Sequence, residues 1–164
     1  MIKKSIVEAL NQQIQHEQSN AHRYQAVALY FESLNLHGLA AWLNQQSSDE
    51  RGHAAKFIKH LMDRCGSVKL GALAAPRSAF EHPLEAIQSV LALEQATTAL
   101  LGKLLELARK ESDYALEVLL HWFINEQVEE EQWATELTAE MEQFYKKPGQ
   151  LYMLDHQWGK RVKA

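Results

Sequence analysis

Between Lys4 and Ser33 the chain contains neither glycine nor proline, and its apolar residues return at intervals of three and four. A run of that length and period predicts one amphipathic helix long enough to cross a whole domain. The remaining breakers leave room for more of the same kind. Asn35-Leu36-His37-Gly38 makes a short connection, and a second helical pattern runs over about 37–64, where Cys65-Gly66 ends it. Pro83 stands in the first turn of a third helix over about 83–110. Ser112-Asp113 offers capping oxygens to a fourth over about 113–146, with Lys146 and Lys147 at the negative end of its dipole before Pro148-Gly149. Residues 151–158 suffice for a short fifth helix. Glycine (7) and proline (3) are too scarce for a turn-rich sandwich or barrel, so the expected class is all-α.

Connection lengths predict the topology. The first two helices, and the third and fourth, are joined by only a few residues, so each pair forms an antiparallel hairpin. Gly66 to His82 separates the hairpins and is long enough to run back along the bundle as a crossover. The expectation is a single domain over residues 1–164: a four-helix bundle with one long crossover and a short C-terminal fifth helix. The crossover stretch Val68-Lys69-Leu70-Gly71-Ala72-Leu73-Ala74-Ala75 is too apolar to lie bare in water. It packs either on its own bundle or under another subunit.

Composition removes several classes of function. Lys and Arg total 17 against 21 acids, a net charge of −4, which argues against nucleic acid as a partner. No stretch approaches the ~20 apolar residues of a membrane span. The first residues, Met1 to Glu8, lack the apolar run and cleavage site of a secretory signal, so a cytoplasmic location is expected. Cys65 is the only cysteine, which excludes an internal disulfide and a cysteine zinc cage.

The chemistry lies in the apolar stripes. Stepping by seven returns to nearly the same helical face. The first helix gives Leu10, Glu17, Tyr24, Phe31, and the second gives Leu36, Leu43, Glu50, Phe57 with a companion row Leu39, Gln46, His53, His60. The third gives Ile87, Glu94, Leu101, Ala108. The fourth gives Leu116, Phe123, Glu130, Leu137, Phe144, with Leu120, Gln127, Ala134, Met141 beside it. An acid interrupts every stripe near mid-helix, and antiparallel packing brings all four to one level. One such acid is ordinarily a hydrogen-bonded core residue. Four together would repel, and each costs several kcal/mol to bury, unless cations lie between them. Oxygen donors with one imidazole suit iron or manganese better than structural zinc. Glu50-x-x-His53 can reach one ion from a single helical face, and this Glu-x-x-His spacing, with lone acids such as Glu17 and Glu94, is a di-iron bundle pattern. The remaining pair is Gln127-x-x-Glu130.

With these residues in view, the chain resembles the bacterial non-haem ferritins along essentially its whole length. The most specific stretches are His121-Trp122-Phe123-Ile124-Asn125-Glu126-Gln127-Val128-Glu129-Glu130-Glu131 and Asp49-Glu50-Arg51-Gly52-His53. The resemblance implies a di-iron ferroxidase centre with Glu17, Glu50 and His53 on the first iron, Glu94 and Glu130 on the second, Glu50 bridging and Gln127 beside the second site. It implies that Tyr24 and Trp122 flank the centre. It further implies a hollow homo-oligomeric cage of twenty-four subunits that oxidises Fe(II) with O2 or hydrogen peroxide and stores the ferric mineral. A third iron site is implied at Glu126, Glu129 and Glu130, with Asp49 where the family usually has Glu; Asp49 and Glu129 equally suit a solvated charged face. Haem is not expected, because Arg51 stands where the related bacterioferritins carry a haem-binding Met.

Two other readings remain open on the residues: a di-iron oxidase or peroxide-scavenging enzyme that retains its metals, and a bundle whose acids form only a polar network. If the four acids share a site, Glu94→Leu should abolish rapid Fe(II) oxidation yet leave the metal-free bundle as stable or more so. His16 and His22 point off the Glu17 stripe and read as surface residues. Gly52 inside the second helix implies a close backbone approach.

Overall fold

The computed structural model describes residues 2–162. The expected runs are helical throughout: α1 spans Lys4–Ser33, α2 His37–Asp63, α3 Pro83–Lys110, α4 Tyr114–Phe144 and α5 Pro148–Gly159. Among the described residues there is no strand. α1 packs along α2 and α3 along α4, giving two helical hairpins joined by an extended crossover.

The first three helices end in the same way. Asn35, Cys65 and Ser112 adopt left-handed backbone, with φ of 59°, 58° and 54°. The following amide then bonds back across the last turn: Leu36 N to Phe31 O at 3.0 Å, Gly66 N to Leu61 O at 2.9 Å, and Asp113 N to Ala108 O at 2.8 Å. This ending satisfies carbonyls that the helix leaves unpaired and turns the chain for the hairpin. Ser112 therefore belongs to the end of α3, and Asp113 alone caps α4, accepting from the Leu116 amide at 3.1 Å. α4 stops at Phe144, so Lys146 and Lys147 lie beyond its last turn. Pro148 does more than end a helix. It opens α5, because the first turn needs no amide from it and its fixed φ suits a helix start.

α5 locks onto the ends of α2 and α4. Leu36, the residue before α2, has no side-chain oxygen to cap it. Asp155 supplies one from α5, accepting from the Leu39 amide at 2.7 Å. Gly38 permits this approach, since a methyl group there would fall 2.1 Å from the Asp155 carbonyl oxygen. The Trp158 indole donates to Glu140 Oε2 at 2.8 Å, tying α5 to α4.

The crossover is held by its backbone. Asn11 donates to Ser67 O (2.9 Å) and accepts from Lys69 N (2.6 Å), and Gln15 donates to Ala72 O (3.0 Å). Val68 and Phe80 at its two ends pack on the core clusters, but the side chains between them are less covered: Leu70 is 68% exposed and Leu73 39%. The crossover thus follows its own bundle while presenting apolar side chains outward.

The interior is not one continuous apolar core. One cluster gathers Tyr24, Phe31, Leu43, Ile87, Leu137 and Trp158 toward the α5 end. The other gathers Ile6, Leu10, Phe57, Leu101, Leu116 and Phe123. Between them the buried positions are Glu17, Glu50, His53, Glu94, Gln127 and Glu130. The acids that interrupt the four stripes form a polar layer across mid-bundle.

Candidate metal centre

Each helix delivers its acid from a position where the heptad demands a core residue, and antiparallel packing fixes the level. The carboxylates fall into two groups whose ligand atoms lie within 4.8 Å of one another: Glu17 with Glu50 and His53, and Glu50 with Glu94 and Glu130. Glu50 belongs to both. His53 Nδ1 is 3.8 Å from Glu50 Oε2, and its Nε2 is 3.8 Å from Glu130 Oε1. Among the described residues no lysine or arginine forms an ion pair with any of these four acids. Glu17 Oε2 and Glu50 Oε2 are buried without a hydrogen-bond partner.

The electrostatics follow from that isolation. Burial, then the neighbouring charge of Glu50, raises the Glu17 carboxyl well above its usual range. Burial likewise raises Glu50, with Glu94 and Glu130 adding to it and a shared hydrogen bond to Glu17 opposing it. Glu130 is pushed up to about 9 by burial and by the charges of Glu94 and Glu17. Glu94 rises less because hydrogen bonds offset part of its burial: Tyr24 donates to Oε1, and Gln127 Nε2 donates to Oε2 at 2.7 Å. Burial holds the His53 imidazole below its ordinary value, with Lys56 adding to this and the Glu17 charge opposing it. Without cations the layer must therefore hold protons. Divalent ions would replace those protons, meet the unpartnered oxygens and cancel the repulsion, and the donors are hard oxygens with one imidazole. The residues present fit a pair of iron or manganese ions, with Glu50 able to touch both.

The neighbouring acids open outward. Asp49, Glu126, Glu129 and Glu130 line a cleft of about 370 Å³ that also exposes His53, Trp122 and Trp133. Asp49, Glu126 and Glu129 do not converge into a third three-ligand group among the described residues. Asp49 is a methylene short and accepts from Gln45 at 3.0 Å.

Three comparisons bear on this geometry. The ferritin-like domain family matches residues 7–144. The bacterial non-heme ferritin of Staphylococcus aureus (strain USA300) is 39% identical over 131 residues, which cover 80% of this chain and 79% of that protein. The chain belongs to the ferritin family. The Staphylococcus haemolyticus non-heme ferritin matches to the same extent. Among solved structures, the open pore ferritin of Archaeoglobus fulgidus superimposes with a TM-score of 0.95 at 35% identity, covering 98% of this chain and 99% of that one. A PmFTN variant soaked in iron superimposes at 0.89 with 29% identity, covering 94% and 98%.

Within this ferritin the two expected aromatics lie against different members of the centre, Tyr24 against Glu94 and Trp122 against His53. Tyr24 is fully buried, and burial together with the Glu94 and Glu50 charges holds its phenol well above the usual range, so it is a neutral donor to Glu94. The tryptophan nearest Tyr24 is Trp133, with ring centroids 6.4 Å apart. Trp122 is 36% exposed at the cleft, edge-on to His53 at 5.7 Å, with Lys56 Nζ 4.3 Å from its ring centroid. Gln127 offers its amide nitrogen to Glu94, so it stands beside the second group as a donor.

The sequence assigns Gln13 no role, and His16 and Gly52 depart from the roles expected of them. Gln13 is buried and donates to Glu17 Oε1 at 2.6 Å. Its signal was a second row in α1 stepping by seven, Ile6, Gln13, Asn20, Val27, in which two amides replace apolar residues. His16 is no surface histidine: its Nε2 lies 2.8 Å from Thr97 Oγ1, and burial with the Arg23 charge lowers it to about 4. His22 is exposed. Gly52 makes no close backbone approach, since a Cβ there would meet nothing within 4 Å. It borders the acid cleft, which a side chain would narrow.

Proposed function

We propose that this chain is an iron-storing ferroxidase: it binds Fe(II) as substrate at the two groups joined by Glu50, oxidises it, and passes the ferric product to a store enclosed by a homo-oligomeric cage of twenty-four copies. Family and fold support iron storage. The observation that carries the catalytic part is the sharing of Glu50 between two buried ligand groups that contain no protein cation. Ferrous iron supplies one electron per ion to O2 or hydrogen peroxide. Glu17, Glu50 and His53 would hold one ion, and Glu50, Glu94 and Glu130 the other, giving the first an imidazole that the second lacks.

The remaining work of the chain is placement and charge. The carboxyls give up their protons as the ions enter. Tyr24 and Gln127 keep Glu94 oriented, and Gln13 does the same for Glu17. The apolar clusters close the layer on both sides along the bundle axis. Asp49, Glu126 and Glu129 would attract cations to that cleft and receive product from it. No helix among the described residues is long and apolar enough to cross a membrane.

Anaerobic addition of Fe(II) followed by air, watched by absorbance, tests the proposal. Repeated uptake far beyond two ions per chain is expected. Oxidation that stops at two ions per chain would instead indicate a retained cofactor, and no oxidation would leave only a polar network.

A further inference from the structure

The acid cleft is one way into the centre, and the opposite face of the bundle carries another. α1 and α3 leave between them a groove of about 490 Å³ whose lining includes Gln12, Gln13, His16, Ser19, Arg23 and Lys103. No carboxylate lines it. Arg23 and Lys103 have no acidic partner among the described residues, whereas in the cleft on the other side four acids outnumber Lys56 and Arg161, the latter paired with Glu136. The two openings therefore differ in sign.

The groove ends at the centre. Gln13 lines it and, from the same side chain, donates to Glu17 Oε1 at 2.6 Å. One amide separates the groove from the Glu17, Glu50 and His53 group. Beside that amide, Asn20 Nδ2 donates to Thr97 Oγ1 at 3.0 Å, and Thr97 Oγ1 lies 2.8 Å from His16 Nε2. Asn20 is fully buried, yet its Oδ1 has no donor. An amide oxygen left so costs about 1–3 kcal/mol unless a small hydroxyl-bearing molecule meets it.

We propose, building on the ferroxidase reading, that the two openings divide the substrates: Fe(II) enters by the acid cleft, and hydrogen peroxide enters by the α1/α3 groove past Gln13. A hydrated dication in the groove meets two like charges and no counter-charge, which a one-signed cleft amplifies. Hydrogen peroxide is uncharged, donates two hydrogen bonds and accepts several. It can therefore pass the uncharged Ala9, Leu100, Leu104 and Leu107 while bonding to Gln12, Gln13 and Ser19, with the Asn20 acceptor behind them. At the centre it takes one electron from each of two ferrous ions. Its O–O bond breaks, and with two protons from water it leaves as two water molecules, the two hydroxides so formed going with the ferric product.

Filling the groove tests the division without touching a ligand. Ser19→Trp on α1 and Leu100→Trp on α3 each place an indole in it from opposite walls, so failure of one variant to fold leaves the other. Each protein is first loaded anaerobically with Fe(II), then mixed with hydrogen peroxide in a stopped-flow instrument. A parallel set is loaded with Co(II), and the arrival of azide, a small anion, is followed by its charge-transfer band. Filling the groove is expected to slow both peroxide oxidation and azide arrival about tenfold, with the rate of Co(II) loading held within about twofold. A double Arg23→Glu, Lys103→Glu variant should slow azide but not retard Co(II). Unchanged peroxide and azide rates in the filled variants would overturn the proposal, as would Co(II) loading slowed as much as azide. If the wild type binds Co(II) and azide but does not oxidise Fe(II), the ferroxidase reading fails while the azide rates still decide the groove.

Discussion

Tyr24 and Glu94 are joined by a buried hydrogen bond from the phenol to Oε1, and the other oxygen of the same carboxylate takes the Gln127 amide. Glu94 is thus a satisfied acid, while Glu50, on the facing hairpin, meets no donor except a proton shared with another acid, Glu17. The difference reverses the stability expected for Glu94→Leu. Leucine at 94 strands the buried Tyr24 hydroxyl, which costs about 1–3 kcal/mol, and leaves the Gln127 amide only its 3.2 Å bond to the residue-94 carbonyl. The metal-free Glu94→Leu bundle should therefore be destabilised by about 2 kcal/mol or more. Glu50→Leu removes a repelling charge common to both groups and should leave the metal-free bundle as stable or up to about 3 kcal/mol more so. Urea unfolding of the three metal-free proteins orders them, and both variants should lose rapid Fe(II) oxidation.

The protons of the layer give the metal-free protein a pH dependence of definite sign. The folded carboxyls titrate above the unfolded value of 4.5, Glu130 at about 9. The folded state binds more protons than the unfolded one in that window, so stability is lost as pH rises through it. His16, lowered from 6.5 to about 4, acts oppositely: its contribution is present above 6.5 and lost as pH falls. The four raised carboxyls outweigh the one imidazole, so the thermal stability of the metal-free protein should be greatest at about pH 5 and decline toward about pH 9. Saturating Co(II) should flatten the alkaline decline and release protons on binding, measurable with a pH indicator.

Helices and acids were legible in the sequence because both are periodic. A glutamate that occupies a heptad core position in each of four helices is visible without any knowledge of what faces it. What each polar group touches on another helix was not legible. Gln13 and Asn20 share a row with Ile6 and Val27; the contact of Gln13 with Glu17 one turn on follows from helical spacing, but that of Asn20 with Thr97 depends on the register between α1 and α3. Trp133 was missed for the same reason: its contact with Tyr24 joins α4 to α1 and has no local signature. His16 was misjudged because a polar residue at the edge of an apolar stripe looks solvent-facing until the neighbouring helix is in place. At the ends of helices, residue type misled. Left-handed turns fell on Asn35, Cys65 and Ser112, where hairpin geometry required them, and not on the glycines nearby.

Assembly should depend on the crossover. Its backbone is tied to α1, yet Leu70 projects into solvent at 68% exposure, and Leu29 on α1 is 62% exposed. A charge at Leu70 costs the isolated bundle little, since nothing in the bundle covers it. If a second copy covers it, Leu70→Glu places an unpaired carboxylate in an apolar contact. Sedimentation should show a large oligomer for the wild type and smaller species for the variant, with unchanged helical circular dichroism. A monomeric wild type would remove the cage.

The two halves of the centre are unequal, and one substitution should level them. Glu17, Glu50 and His53 form a group with an imidazole, whereas Glu50, Glu94 and Glu130 form one of carboxylates alone. Gln127 lies beside the second group but turns its amide nitrogen to Glu94, at 2.7 Å from Oε2 and 3.2 Å from the carbonyl. It orients a ligand and adds no charge or lone pair to the ion. The second ion should therefore bind more weakly. Weak binding suits a centre that hands its product on, because a tightly held pair would turn over once and stop. Gln127→His places an imidazole three residues before Glu130, a spacing at which both can face one ion. The variant should bind its second Fe(II) about tenfold more tightly, roughly 1.4 kcal/mol. After the first turnover it should mineralise more slowly, because release becomes harder. Anaerobic titration gives the two affinities, and repeated small additions of iron in air give the later turnovers. Equal affinities in the wild type, or faster mineralisation by the variant, would show that the asymmetry does not govern turnover.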